Sequence, residues 1–555
     1  MKSVLAIPGR ESRLLPGDVK ILRYYHTMRH LKTRQTLGRL FSEIKRNHRL
    51  YRLPEIPVEL KVMLKARTPF LSHEAWNRRQ RILKGEFTFL NVKKKFYNSI
   101  DWRSNELPQL WRFNLHYFNY LCILEEKEKV RICIDWIRNN PAGTPDAWHS
   151  YSLSLRIVNW CKQFFTDQCI LKSLYLQAAY LYRNLETYHP GNHLLENARA
   201  LIFAGLYFRG QGESEKWLRK GLDILSREIP VQVLDDGGYF ERSTMYHAIM
   251  LEGFLDILNI LPDDEETGYM IEDAVKKMST FLKSMTHPDG GIALFNDSTL
   301  EIAPETEKLL SYAKVLTAHE PERISTFNNT GYYIHHGKQL YLVIDGGAVG
   351  PDYLPAHSHA DIFSYELSIN GRKFIVDSGV YEYPAGPMRS FVRSTRAHNT
   401  VAVDKKDQAE CWDSFRVARR YLPQEVSFNV HECKSYFKGS FRGYASLIGD
   451  RIIHTREITT DEGEKKILFK DYISGKGNHL AESLIHINPE AEVKLNGNIA
   501  FISMGKDKII VQVGNGTVSV EDGWYCPGFG VRIANKVLVI SKEHLPAELS
   551  YSIRY

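Results

Sequence analysis

The sequence lacks any run of about 18 apolar residues, the length that a membrane-spanning helix requires, so it predicts no transmembrane segment. Seven cysteines occur among 555 residues, and no two of them form a C-x-x-C pair. This odd number and spacing argue against a disulfide framework and favour reduced, buried thiols. The N-terminal apolar run is too short for a secretory signal and is broken by Pro8-Gly9, so we expect a cytoplasmic protein.

Acidic residues are scarce in the first 100 residues, which hold 23 Lys and Arg against 7 Asp and Glu, a balance of +16. The whole chain carries +8, so the remaining 455 residues are net acidic by 8 charges. Apolar residues at three- and four-residue steps over 18–49 predict that this basic extension, 1–100, is largely helical there. Its charges either face water or contact an anionic surface, such as the inner membrane or a glycan. We expect no nucleic-acid partner.

Two different patterns follow this extension and predict an α+β, multidomain chain. Between residues 101 and 325, helical patterns recur with short loops between them, which predicts helical hairpins packed as an array or toroid. They cover 111–138, 148–165, 171–186, 192–209, 213–228, 243–261 and 268–286. From 326 to 555 the runs are short and alternating or β-branched, and Asn370-Gly371 marks a hairpin between two of them. This second part is predicted to be a β-sandwich.

A first candidate site lies at Asn192-His193, directly after the chain break at Pro190-Gly191. Helical spacing resumes at Leu194, so both residues are predicted at a helix N-terminus, where free backbone N–H groups favour an anion. An Asn amide and an imidazole could add two donors to a carboxylate. The alternative is an ordinary N-cap at Asn192, with His193 packed beside Asn197.

Tyr246 is a second candidate, since Ser243 is a good N-cap and places Tyr246 in the first turn of the next helix. The positive end of that helix would favour a phenolate and lower the pKa of Tyr246. The alternative is a tyrosine at the edge of the core.

A third motif, His357-Ser-His359, precedes a predicted strand and places both imidazoles on one side of an extended chain. Asp377 and His398 follow within about 40 residues. Two histidines and an aspartate are good zinc ligands. The alternative is a pair of surface or core-edge imidazoles.

These segments resemble the heparinase II/III family of polysaccharide lyases. The matching strings are GNHLLEN (191–197), DGGYFERSTMYH (236–247), HSHAD (357–361) and RSTRAHNT (393–400). The resemblance implies an incomplete α/α toroid followed by antiparallel β-sheets, and cleavage of an acidic, uronate-containing glycan by β-elimination. The opening YYHTMRHLK (24–32) resembles relatives associated with bacterial surface polysaccharides.

The resemblance also implies roles for individual residues. Asn192 and His193 would neutralise the uronate carboxylate, Tyr246 would be the general acid/base, and His357 would be the base from the other face. His359, Asp377 and His398 would hold a structural zinc. Two other classes stay open: a hydrolase with a catalytic metal at His357, His359 and Asp377, and a non-catalytic glycan-binding protein of polysaccharide assembly.

Overall fold

The computed structural model describes residues 16–38, 54–72, 76–263, 266–449 and 451–555. The N-terminal extension begins with helix α1 (Pro16–Met28). A turn at 29–30 and two residues without regular secondary structure interrupt it before residues 33–38 become helical again. The predicted helix over 18–49 is therefore wrong at 29–32, where the backbone N–H of Lys32 donates to Gln35 Oε1 and starts a separate helical segment. Residues 39–49 lie outside the described ranges.

The helical body follows a small helix and hairpin. Its elements are α2 (Arg79–Leu83), β1 (Glu86–Phe89), β2 (Val92–Lys95), α3 (Gln109–Tyr117), α4 (Glu126–Asn139), α5 (Ser150–Cys161), α6 (Gln168–Arg183), α7 (Asn192–Tyr207), α8 (Ser214–Gln232), α9 (Thr244–Ile260), α10 (Glu266–Ser284) and α11 (Thr306–Thr317). The predicted pattern at 111–138 splits because Phe118 adopts a left-handed conformation with φ of 64° and ends α3.

Two glycines let α7 and α8 approach closely. A Cβ at Gly205 would lie 2.7 Å from Leu218, and a Cβ at Gly221 would lie 2.6 Å from Ile202. Nearly every residue of α7 is buried, including polar ones, so its position is fixed by packing on all sides. This packing holds the N-terminus of α7, and with it Asn192, in one place.

The second part is built from antiparallel strands and two short helices. They are β3 (Thr326–Phe327), β4 (Tyr332–His336), β5 (Leu340–Asp345), β6 (Tyr365–Ile369), β7 (Arg372–Ile375), α12 (Pro387–Val392), β8 (Val401–Val403), β9 (Cys411–Trp412), β10 (Arg416–Val417), β11 (Gln424–His431), β12 (Lys434–Phe441), α13 (Gly443–Leu447), β13 (Ile453–Asp461), β14 (Lys466–His486), β15 (Glu492–Asn496), β16 (Ile499–Met504), β17 (Asp507–Asn515), β18 (Thr517–Tyr525) and β19 (Ile533–Arg554). Asn370 and Gly371 both have positive φ and join β6 to β7, as their sequence indicated.

The strands form a five-stranded sheet in the order β3-β4-β5-β6-β7 and a ten-stranded sheet. The large sheet runs β11-β12-β13-β14-β19-β17-β16-β15, with β8 paired to β14 and β18 to β19. Side chains from both sheets, such as Leu342 and Phe469, share one buried core. The predicted class, a helical part followed by an antiparallel β-sandwich, is confirmed.

Two expectations from the sequence concerned membrane-spanning helices and the burial of the cysteine thiols. Within the described ranges, no helix combines the length and the apolarity needed to cross a bilayer. None of the seven cysteines, all of which lie in the described ranges, forms a disulfide bond. Cys133, Cys161 and Cys526 are buried as expected, whereas Cys122 and Cys169 are exposed.

Candidate active site

A cleft of about 880 Å³ lies between the helical body and the β-sandwich. Asn192, His193 and Tyr246 line it from the helical side, and His357 and Tyr383 line it from the other. The predicted Asn-His pair, tyrosine and histidine therefore reach one cavity although up to 165 residues separate them in sequence.

Asn192 is the first residue of α7, and Gly191 with extended backbone precedes it. His193 Nδ1 lies 3.0 Å from Glu186 Oε1, and its ring stacks on Tyr151 with centroids 4.2 Å apart. Burial works against protonation of His193, but the Glu186 carboxylate outweighs it and raises the pKa of His193. The pair therefore presents a helix N-terminus and an imidazole whose protonated form Glu186 favours, a suitable environment for a carboxylate.

Tyr246 lies in the first turn of α9, where the Ser243 hydroxyl accepts its backbone N–H at 3.2 Å, as an N-cap should. Its phenol contacts the Tyr383 hydroxyl at 3.0 Å. Burial, followed by the nearby Tyr383, raises the pKa of Tyr246 well above its ordinary value. The expected lowering of this pKa is thus wrong, because desolvation of the phenolate outweighs the helix end.

His357 stacks on Tyr246 with ring centroids 4.0 Å apart. Its Nδ1 lies 2.9 Å from Asp297 Oδ2, and its Nε2 lies 3.4 Å from Glu241 Oε2. Since a carboxylate only accepts, Asp297 holds the proton on Nδ1 and leaves Nε2 as the basic nitrogen of the neutral ring. Burial raises the pKa of Glu241, which favours its neutral form beside this nitrogen.

The predicted zinc ligands come together with one difference. One ligand atom each from His359, Asp361 and His398 lies within 4.8 Å of the others. Asp377 Oδ2 instead lies 2.7 Å from His398 Nδ1, so its carboxylate orients that ring. His359 Nδ1 and His398 Nε2 are buried and find no hydrogen-bond partner among the described residues. Two orphaned imidazole nitrogens beside a carboxylate fit a zinc ion.

Asp297 is one of three candidate site residues that the sequence did not reveal. It is fully buried and contacts both His357 and His359, the latter through Oδ1 at 2.9 Å from Nε2. Arg389 binds both of its oxygens, with 2.8 Å from Nη2 to Oδ2. Asp297 belongs to no motif, because only the folded loops bring these four side chains together. Tyr383 and Glu241 were missed for the same reason.

Two family models together match most of the chain. The family described as Heparinase II/III N-terminus matches residues 77–321. The family described as Heparinase II/III-like, C-terminal matches residues 319–552. The resemblance first seen in the four short strings is confirmed over both parts of the molecule.

Individual relatives agree with this assignment. A heparin-sulfate lyase of Bacteroides stercoris is 29% identical over 61% of this chain and 60% of its own length. A second one, from Pedobacter heparinus, is 26% identical over 49% of this chain and 47% of its own length. The chain thus spans between about half and 60% of these curated relatives. A solved heparan sulfate lyase of Pedobacter heparinus has the same fold, with a TM-score of 0.58 at 18% identity over 93% of this chain and 87% of that one.

The Asp297 cluster yields a prediction about stability. Asp297→Ala should lower the free energy of unfolding by about 3–5 kcal/mol, because it leaves the buried Arg389 guanidinium without its counter-charge. Asp522→Ala is the matched control: its carboxylate pairs with Lys536 at 2.6 Å but is 82% exposed, so its loss should cost less than about 1 kcal/mol. Urea denaturation of both variants makes the comparison. Equal costs would contradict the view that Asp297 holds this cluster together.

Proposed function

Since the chain belongs to the heparinase II/III family, we propose that it is a polysaccharide lyase that cleaves a uronate-containing glycan by β-elimination. The observation that carries this proposal is the contact of Tyr246 with His357, 4.0 Å apart between ring centroids, in the cleft that also holds Asn192 and His193. One cavity thus offers an anion site next to two groups that can move protons.

The anion site would receive the uronate carboxylate. Removing the proton from C5 of a uronate develops enolate-like charge on that carboxylate, and donors placed before the reaction stabilise it. Asn192 would donate from its amide and His193 from its imidazole, whose pKa Glu186 raises. The helix N-terminus at Asn192 adds a positive electrostatic potential, which also stabilises this negative charge.

Proton transfer would be divided between two side chains. His357 takes the C5 proton at Nε2, the electron pair of that C–H bond forms the C4–C5 double bond, and the C4–O4 bond breaks. Tyr246, which its raised pKa keeps protonated, gives its proton to the departing O4. No water is consumed, and the product carries a 4,5-unsaturated sugar.

The stacking of the two rings supports a syn elimination. Rings 4.0 Å apart leave no space for a sugar between them, so both side chains approach the substrate from one side. This arrangement differs from the expectation that His357 acts from the opposite face. If Tyr246 performed both transfers alone, it would first have to lose a proton that burial holds firmly.

A metal-dependent hydrolase is less well supported. The candidate metal cluster of the described residues contains His359, Asp361 and His398 but not His357. His357 Nδ1 faces Asp297, and its Nε2 faces Glu241. The hydrolase alternative also leaves Asn192 and Tyr246 without a role, as does a protein that only binds glycan.

Replacement of the phenol tests the acid. Tyr246→Phe should lower turnover of uronate polysaccharides at least about 100-fold, the usual scale for a positioned proton-transfer group, and leave binding nearly unchanged. Tyr341→Phe is the control, because this tyrosine is buried as well but its hydroxyl donates to the Ser284 carbonyl away from the cleft. Ultraviolet detection and mass analysis of the products measure turnover. Near-normal turnover by Tyr246→Phe removes it from the mechanism, hydrated ends indicate a hydrolase, and no product from the wild type indicates a binding protein.

We also propose that His359, Asp361 and His398 hold one structural zinc ion, with Asp377 bound to His398 behind them. Neighbouring carboxylates support this: against the effect of burial, Asp377, Asp361 and Asp345 raise the pKa of His398 to about 9, so the pocket attracts positive charge. When bound, zinc would cross-link the loop of His359 to that of His398. It has no part in the proton transfers proposed above.

Metal analysis checks this site. Purified protein should contain about one zinc per chain, and His359→Ala should lower both zinc content and melting temperature. Asp361→Asn should reduce zinc content more than Asp377→Asn, because only the former loses a direct ligand. Protein without zinc, with activity intact after chelation, would overturn the proposal. Chelation that abolishes activity without destabilising the fold would instead favour the hydrolase.

The basic N-terminal extension is proposed to bind an anionic membrane surface reversibly. Residues 21–38 contain four Lys or Arg and no Asp or Glu. On one face of α1, Ile21, Tyr25 and Met28 are 68%, 61% and 50% exposed. The segment is also attached to the β-sandwich part, since Thr27 accepts from Trp412 Nε1 at 3.2 Å. An apolar face flanked by cations, held on a folded body, suits an anionic bilayer.

Vesicle binding tests this part. Each Lys or Arg near an anionic bilayer contributes roughly 1 kcal/mol, and salt weakens it, so binding to phosphatidylserine vesicles should fall steeply between low and high salt. Replacing Ile21, Tyr25 and Met28 by Ser should weaken binding, whereas replacing the exposed Val58 by Ser should not. If the full chain does not bind anionic vesicles at low salt, its charges only face water.

A further inference from the structure

We propose that the glycan bound in the cleft carries no sulfate groups, so that its uronate carboxylates are its only charges. This inference rests on the proposed lyase function and narrows its substrate class. It comes from the charges on the cleft wall, which are unusual for a site that must accept a polyanion.

The fixed cations of the wall are already neutralised. Among the described lining residues only Lys162 and Arg199 carry a permanent positive charge. The Lys162 ammonium lies 2.6 Å from Asp256, and Arg199 contacts Asp256 and, at 3.2 Å, Glu196. Both side chains are at most 9% exposed. Arg199 cannot turn toward a sulfate without leaving the buried Glu196 unpaired, which is costly. If Lys162 turned, the fully buried Asp256 would keep only one of its two cationic partners.

Acidic residues outnumber these cations on the same wall. Glu196, Glu252, Glu301 and Glu382 line the cleft together with Glu241, whose raised pKa favours its neutral form. Glu301 is exposed and Glu382 is half-buried, so both face the path of a bound chain. Placing a sulfate beside such groups brings like charges together, and this disfavours binding.

Cations near the cleft do not change this balance. Arg112 pairs with Asp146 at 2.7 Å and Lys94 with Glu106 at 2.5 Å. Arg532 lies at the rim, where its guanidinium stacks over Trp524 at 4.4 Å from the ring centroid and also lies 5.9 Å from Tyr381. One rim cation gives a single contact, whereas a sulfated polymer presents an anion on nearly every residue.

The wall is instead rich in aromatic side chains. Trp76, Tyr151, Tyr381, Tyr383 and Phe415 are partly exposed examples from both sides of the cleft. Such rings contact the apolar faces of sugars, and their hydroxyls add hydrogen bonds without charge. Affinity would therefore come from stacking, with a single charged contact at Asn192 and His193 for the reacting uronate.

A matched substrate series tests the inference. Heparosan, heparan sulfate and heparin share a backbone of uronate and glucosamine and rise in sulfate content. Chondroitin and chondroitin sulfate form a second pair. The wild-type protein should cleave the unsulfated member of at least one series with kcat/KM at least about 10-fold above that of its sulfated counterpart, and should bind it more tightly. Equal or faster cleavage of the sulfated members overturns the inference and leaves the lyase function standing.

Direct binding measurements distinguish a failure of the lyase proposal from a failure of the inference about sulfate. If no polymer is cleaved, the lyase proposal fails, and calorimetric binding of the same polymers still decides the charge argument. Tighter binding of the unsulfated chain in that experiment supports the inference about sulfate. Tighter binding of heparin, or no binding of any unsulfated chain, overturns that inference.

Charge reversal at the rim provides a second readout. The double variant Glu301→Lys, Glu382→Lys should raise kcat/KM for the sulfated polymers at least about 5-fold relative to the unsulfated ones. The matched control, Glu432→Lys with Glu464→Lys, changes the net charge equally at exposed hairpin positions of the β-sandwich and should leave the ratio unchanged. A ratio that shifts equally in both double variants would show that overall charge, and not the cleft wall, determines selectivity.

Discussion

The buried carboxylate of Asp297 is the interaction on which the site depends. Its loop follows α10, and its side chain binds Arg389 of α12 and two histidines of the 357–359 loop. Its backbone is bound as well, since the Asp297 N–H donates to the His357 carbonyl at 2.9 Å and the Ser243 hydroxyl donates to the Asp297 carbonyl at 2.7 Å. Burial opposes its ionisation, but Arg389 and the histidines hold the pKa of Asp297 well below its ordinary value. A single ionised group thus joins the start of α9 to the β-sandwich part.

This junction explains how two parts of the chain make one active site. Ser243 caps the helix that carries Tyr246, and the same loop that receives its hydroxyl orients His357. His359 turns its other nitrogen toward His398, so the candidate metal cluster is tied to the same carboxylate. The relative positions of Tyr246 and His357 therefore follow from one set of short contacts and do not depend on long-range domain packing alone.

Local signals predicted much of the molecule from its sequence. The helices that begin at Asn192 and Thr244 lie within a few residues of their predicted bounds, because Pro190-Gly191 and Ser243 are strong start signals. The Asn370-Gly371 hairpin was fixed by its turn residues. Contacts between distant segments do not follow from local signals, and the meeting of Asn192, Tyr246 and His357 was expected from the family resemblance. Asp297, Tyr383 and Glu241 reach the candidate site only through tertiary packing. The candidate metal cluster contains Asp361 and not the expected Asp377, because sequence spacing does not determine which carboxylate faces the two imidazoles.

The environment of Tyr246 shows why such packing also decides chemistry. A helix N-terminus lowers the cost of a nearby negative charge by a limited amount, on the order of 1 kcal/mol. Complete burial of a phenolate costs more than that, and the pKa of Tyr246 rises accordingly. A tyrosine in this state is a proton donor at rest, so the basic role passes to a neighbour with a free nitrogen. His357 is that neighbour, because Asp297 fixes its tautomer and its Nε2 lies at the cleft wall, 3.4 Å from Glu241 Oε2. The division of labour proposed for elimination thus follows from desolvation of one side chain and orientation of the other.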